Sequence, residues 1–144
     1  MAKAVKNIIE ATTEQQREYL TLLDRADAAK ENAYNKYSGF KVGAALLTKN
    51  GKIITGCNVE NGSFGLTICA ERAAIFKAVS EGYKPGDFVA MAIAASGPNF
   101  SPCGACREVI NEFGENMAVI FEFDGQVIMT SLKGLLPFNF KMAE

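Results

Sequence analysis

Residues 88–96 read FVAMAIAAS, nine positions without a charged side chain. A short apolar run of this kind, without polar alternation, is what a strand buried on both faces requires. It implies that something must cover each side of the sheet it belongs to. The flanking segments supply the material. TTEQQREYLTLLDRADAAKENAY places Tyr19, Leu22, Leu23, Ala26, Ala29 and Ala33 at helical spacing, and Thr12 with Gln15, or Thr13 with Gln16, can form a capping box. FKVGAALLT and KIITGCNVE are strand-like runs joined by KNGK, a hairpin signal through Asn50-Gly51. Thr67 to Glu81 reads as a second helix stopped by Gly82. SPCGACREVINEFG opens a third helix, with Pro102 near its first position and Gly114 at its end. MAVIFEF and QVIMTS pair through Asp124-Gly125, and LKGLLPFNF is a short terminal segment with room for one helical turn.

The order α-β-β-α-β-α-β-β predicts an α/β fold in three layers, a mixed five-stranded sheet with helices on both faces. No repeat, low-complexity tract or linker divides the 144 residues, so residues 1–144 are expected to form a single domain. Residues 1–12 form an N-terminal extension to which the sequence assigns no role. A net charge of −1, with no basic cluster, argues against a nucleic-acid or anionic-membrane surface. No apolar run approaches the roughly 18 residues of a membrane span, and no secretory signal is visible, so a cytoplasmic protein is expected.

The chain has no histidine and four cysteines: Cys57, Cys69, Cys103 and Cys106. Acid–base or metal chemistry must therefore fall to Cys, Glu, Asp, Lys or Tyr. Two segments stand out, Cys69-Ala-Glu71 and Pro102-Cys-x-x-Cys106, each where a helix is expected to begin. Free N–H groups and the positive dipole end favour thiolate at such places. Three thiolates at two helix tips suit zinc, and three protein ligands leave a fourth position for water, the mark of a catalytic site. A ligand-x-Glu followed by Pro-Cys-x-x-Cys is the zinc deaminase pattern, in which Glu71 is the proton carrier and not a ligand. Three thiolates leave the centre with net negative charge. Arg72 is the favoured cation to offset it, with Arg107 as the second candidate.

Other readings compete. Cys57 could complete a closed structural Cys₄ site, although it falls inside an expected strand where cysteine commonly packs as a small apolar residue. CGAC at a helix start could serve thiol–disulfide exchange, but that leaves Cys69, Glu71 and Arg72 unexplained. A non-catalytic zinc-stabilised binding module would hold zinc without an open water position.

The blocks AYNKYSGFKVGAAL, GCNVEN, CAERAAIFKAVSEG, SPCGACREV and LLPFNF resemble the small homotetrameric zinc-dependent cytidine deaminase family, over nearly all the chain after its N-terminal extension. The resemblance implies hydrolytic deamination of cytidine and deoxycytidine to uridine and deoxyuridine, with release of ammonia, in pyrimidine salvage. It implies one Zn²⁺ per chain on Cys69, Cys103 and Cys106, with Glu71 catalytic and Arg72 in support. It further implies that Asn58 and Glu60 bind the ribose, Phe40 packs on the nucleoside, the Ala70 backbone contacts the base, and Phe140 enters a neighbouring subunit's site. The implied partner is a free pyrimidine nucleoside; a deaminase of DNA or RNA fits the charge poorly. Family relatives acting on nucleoside antibiotics share the zinc motifs, and Asn58 with Glu60 favours an ordinary ribose. The chain departs from the family pattern at Lys36, where proline is usual, at Phe64, where tyrosine is common, and at Glu108, where glutamine is usual.

Overall fold

The computed structural model describes residues 3–143. Its elements are β1 (Ala4–Asn7), α1 (Thr13–Ala29), β2 (Val42–Thr48), β3 (Ile53–Cys57), α2 (Ala70–Ser80), β4 (Phe88–Ala95), α3 (Gly104–Phe113), β5 (Ala118–Phe123), β6 (Gln126–Ser131) and α4 (Leu132–Leu135). The strands form one mixed sheet in the order β1-β6-β5-β4-β2-β3. β4 and β5 run parallel, β1 and β6 run parallel, and the other neighbours are antiparallel.

The sheet has six strands, not the expected five. The additional strand comes from the N-terminal extension, whose Ala4–Asn7 pair with Gln126–Met129. Four residues with lysine at position 6 and at the preceding position 3 carry little strand signal, yet short charged segments are how exposed sheet edges are protected. Asn7 then closes the turn into α1, its Nδ2 donating to Ala11 O and its Oδ1 accepting from Ala11 N. Of the extension, Met1 and Ala2 lie outside the described residues, as does Glu144.

The central strand behaves as its composition requires. Met91 and Ile93 face one side of the sheet, Ala90, Ala92 and Ala94 the other. The first side packs under α2, α3 and α4 through Ala70, Ala74, Ile75, Ala78, Ile110 and Leu132. The second packs under α1 through Tyr19, Leu22, Leu23 and Ala26. Alanines beneath α1 let that helix lie close to the sheet. At Gly43 the approach is closer still, since a Cβ there would stand 2.1 Å from Ala26 O. α1 starts with the Thr12–Gln15 capping box. The β2–β3 hairpin turns at Gly51, whose φ of +84° favours glycine.

Helix α2 is shorter than the pattern suggests. Thr67 and Ile68 are extended, because Ile68 exchanges two 3.0 Å backbone bonds with Val59. The helix therefore begins after Cys69, which is its N-cap. Pro102 likewise stands before the N-cap, Cys103, and not inside α3. No described helix is long and apolar enough to cross a membrane.

Candidate active site

Two helix tips meet on the α2–α3 side of the sheet. Cys69 caps α2, Cys103 caps α3, and Cys106 occupies the first turn of α3. Their three sulfurs lie within 4.8 Å of one another. Cys69 Sγ and Cys103 Sγ are 4.0 Å apart. Tetrahedral ligands at a Zn–S distance of about 2.3 Å would stand about 3.8 Å apart, so the sulfurs fit that ion with little movement. Among the described residues, this is the group of side chains placed to hold a metal, and Cys57, at the end of β3, is outside it.

The α2 tip is buried. Ala70 is inaccessible, and Glu71 is 1% exposed. Glu71 Oε1 has no hydrogen-bond partner. Burial is the main cause that lifts the Glu71 carboxyl to about 7. A fully buried carboxyl oxygen without a partner is rare in folded proteins, and it marks a place where a proton or ligand is expected. Arg72 Nη2 donates to Cys69 Sγ at 3.2 Å. The Cys69 thiol is held near 5, first by its hydrogen bond with Cys106 and then by Arg72. Cys106 is driven up by the same bond, so the thiolate of the pair sits on Cys69.

Arg107, the second candidate for charge balance, does not contact a thiol. Its guanidinium donates to Pro102 O, Ser101 Oγ and Leu135 O. Glu108 is exposed on α3 and lines a cavity of about 510 Å³ with Asn111, Glu115 and Phe140.

The nucleoside-binding candidates form a second group around the loop 37–42. Asn58 Oδ1 accepts from Val42 N at 2.8 Å, and its Nδ2 donates to Phe40 O at 2.9 Å. Glu60 Oε1 accepts from the Tyr37 and Ser38 amides at 2.9 and 3.0 Å, and Oε2 accepts from Ser38 Oγ. Those bonds, led by that of the Ser38 hydroxyl, hold the Glu60 carboxyl below the usual carboxylate range. Both residues lie beyond the end of β3, but a bridge from Val59 to Tyr34 and Ile68 keeps the chain extended, so both side chains reach the same loop. Tyr37, Ser38, Glu60, Asn61, Phe64 and Thr67 line a cavity of about 390 Å³, large enough for a small molecule. Phe64 packs edge-on against Tyr37, and Lys36 sits over the Tyr37 ring. Phe40 is partly exposed and lies against Gly97. Phe140 belongs to neither group; it is 69% exposed and lines the cavity beside α3.

Sequence reasoning missed two supports. Ser38 holds Glu60, and Gly56 lets α2 approach β3. A Cβ on Gly56 would stand 2.7 Å from Ala70 O and 2.6 Å from Ala74 N. The available signal is glycine inside a strand pattern, as in GAALL and ITGC, which marks close backbone approach.

Comparison with known proteins points to one family. The sequence profile described as "Cytidine and deoxycytidylate deaminase zinc-binding region" matches residues 14–122. A probable cytidine deaminase of Dictyostelium discoideum is 47% identical over 85% of this chain and 83% of its own. A cytidine deaminase of Sporosarcina psychrophila is 45% identical over 81% of this chain and 86% of its own. The crystal structure of cytidine deaminase from Burkholderia pseudomallei superposes with a TM-score of 0.81 at 48% identity, covering 85% of this chain and 98% of that one.

Proposed function

We propose that this chain, which belongs to the cytidine and deoxycytidylate deaminase family, hydrolyses cytidine and deoxycytidine to uridine and deoxyuridine with release of ammonia. The observation that carries the reading is a fully buried carboxyl, Glu71, with an unpartnered Oε1 beside three clustered thiols. Cys69, Cys103 and Cys106 would hold zinc, which supplies a water acidic enough to lose a proton near neutral pH. Glu71 takes that proton, its raised pKa matching it to work near 7. It returns the proton to N3 of the pyrimidine as the water oxygen bonds to C4. It then takes the proton of the new C4 hydroxyl and passes it to the amine, so that the C4–N bond breaks, ammonia leaves and the C4 carbonyl forms. Arg72 draws charge from Cys69, offsetting the net negative charge that three thiolates leave on the site.

Glu60 and Asn58 bind the ribose hydroxyls, Phe40 packs against the nucleoside, and the Ala70 backbone meets the base. An ionised Glu60 repels phosphate, which favours a free nucleoside over a nucleotide or nucleic acid. Phe140, exposed and not among the residues lining its own chain's Glu60 cavity, is read as completing the site of a neighbouring copy in a homotetramer. The reading takes residues 1–144 as one deaminase domain working in the cytoplasm.

Loss of cytidine absorbance in the ultraviolet, followed beside zinc per chain, tests this. The expected result is turnover of cytidine and deoxycytidine, insensitive to salt, with about one zinc per chain. Zinc-loaded protein that turns over neither nucleoside would overturn the reading.

A further inference from the structure

Arg107 stands one residue after Cys106, yet spends its hydrogen bonds on other partners. Nε donates to Pro102 O at 2.8 Å, Nη2 to Ser101 Oγ at 3.0 Å, and Nη1 to Leu135 O at 2.8 Å. The first two acceptors lie on the irregular loop that delivers Cys103 to the α3 tip. Pro102 is buried and Ser101 half-buried, but Cys103 itself is exposed and no strand pairs with residues 101–103. Pro102 O belongs to the same peptide plane as Cys103 N, and that plane is rigid. The proline ring already restrains its own φ. Anchoring its carbonyl restrains ψ as well, so the direction in which Cys103 leaves the loop is set from both sides.

The third bond reaches elsewhere. Leu135 closes α4 and begins the segment that carries Phe140. That segment is tied to α3 and to the turn after it at two further points. Asn139 Nδ2 donates to Asn111 Oδ1 at 2.6 Å, and Lys141 Nζ donates to Glu115 Oε1 at 3.1 Å. Arg107, Asn111 and Glu115 are spaced four apart, so they form one stripe along α3 and the turn that follows it. The C-terminal segment lies along this stripe, and the stripe ends at the cysteine loop.

We infer that Arg107 is a positioning residue that aims the Cys103 thiol and couples that aim to the placement of the C-terminal segment. This rests on the reading that Cys103 holds zinc. A planar guanidinium presents donors on three nitrogens in fixed directions, whereas an ammonium presents its three from a single freely rotating nitrogen. Residues that orient a metal ligand typically change metal affinity about 10- to 100-fold when altered.

The test is zinc dissociation from the zinc-loaded protein to a chromogenic chelator, with the melting temperature of the metal-free chain measured in parallel. Arg107→Lys is expected to weaken zinc binding about 10- to 100-fold. Ser101→Ala, which removes one acceptor, is expected to weaken it about fivefold, the equivalent of one neutral hydrogen bond. The double variant Asn139→Ala/Lys141→Ala touches neither the loop nor a cysteine, and is expected to speed zinc release by loosening the segment that Leu135 anchors. Arg107→Lys and Ser101→Ala proteins that both hold zinc as tightly as the parent would overturn the positioning role; if Arg107→Lys fails to fold, Ser101→Ala decides. Unchanged release from the double variant would overturn the coupling. A parent protein that binds no zinc would instead remove the metal reading, and this inference with it.

Discussion

The two helix tips that meet at the cysteine cluster are held in different proportions by packing and by hydrogen bonds. The α2 tip is held by packing: Ala70, Glu71, Ala74 and Ile75 are buried, Gly56 lies against the helix backbone, and Cys69 makes no capping bond with its own helix. The α3 tip is more open, with Cys103, Gly104 and Ala105 exposed although Pro102 and Cys106 are buried, and hydrogen bonds cross it from Cys106 N to Cys103 Sγ and from Arg107 to the preceding loop. The difference divides the labour of the site. A packed tip excludes water, and desolvation is what lifts Glu71 into a range where it can both take and give a proton. An exposed tip leaves Cys103 within reach of solvent, from which both water and substrate must come. The two arginines follow the same division. Arg72 answers a thiolate directly, whereas Arg107 answers backbone.

The largest effect is expected from altering the proton carrier of the packed tip. Glu71→Gln preserves volume and burial but cannot carry a proton. Turnover should fall by a factor of about 10² to 10⁴, with zinc content unchanged. Full turnover by a zinc-loaded Glu71→Gln protein would mean that the packed tip has no part in proton transfer.

Arg72→Gln tests the charge half of the comparison and should have a smaller effect. Activity is expected to fall about 10- to 100-fold with zinc still bound. In the metal-free protein the sign is also fixed. Cys69 is held near 5 by its bond with Cys106 and then by Arg72, so losing the guanidinium moves the thiol upward. The midpoint of the pH profile for alkylation of Cys69 by iodoacetamide should then move to higher pH than in the parent. An unchanged profile would reduce Arg72 to a neighbouring surface charge.

What the sequence disclosed follows this division too. Cys69, Glu71 and Arg72 lie within four residues, so their proximity at one helix tip is local and legible in the pattern CAER. Cys103 and Cys106 are legible for the same reason. The sheet core was readable because FVAMAIAAS admits one environment. Strand β1 was not, since four residues with alternating exposure gain their structure only from the edge of β6. The start of α2 was misplaced because Ile68 is bonded to Val59, a long-range pairing that local helix preference cannot report. Arg107 was equally opaque. Its position beside Cys106 suggests a metal-side role, whereas its partner Leu135 is 28 residues away.

The smallest effects expected are also the sharpest contrast, because they make the same glycine-to-alanine change on the strand beneath one tip and within the other. At Gly56 an added methyl would meet backbone atoms of α2, at 2.6 Å from Ala74 N and 2.7 Å from Ala70 O. Backbone cannot rotate aside as a side chain can, so Gly56→Ala must push the packed tip from the sheet. Overpacking of this kind destabilises by about 1–3 kcal/mol, read as a lowered melting temperature. At Gly104, on the open tip, a Cβ would find nothing within 4 Å, and its φ is not in the left-handed range. Gly104→Ala should therefore stabilise the chain by about 0.4–1 kcal/mol through the lost freedom of the unfolded state. Opposite shifts in melting temperature are what packing at one tip and hydrogen bonding at the other require. Equal shifts would show that the two tips are held alike, and the assignment of desolvation to α2 and access to α3 would lose its physical basis.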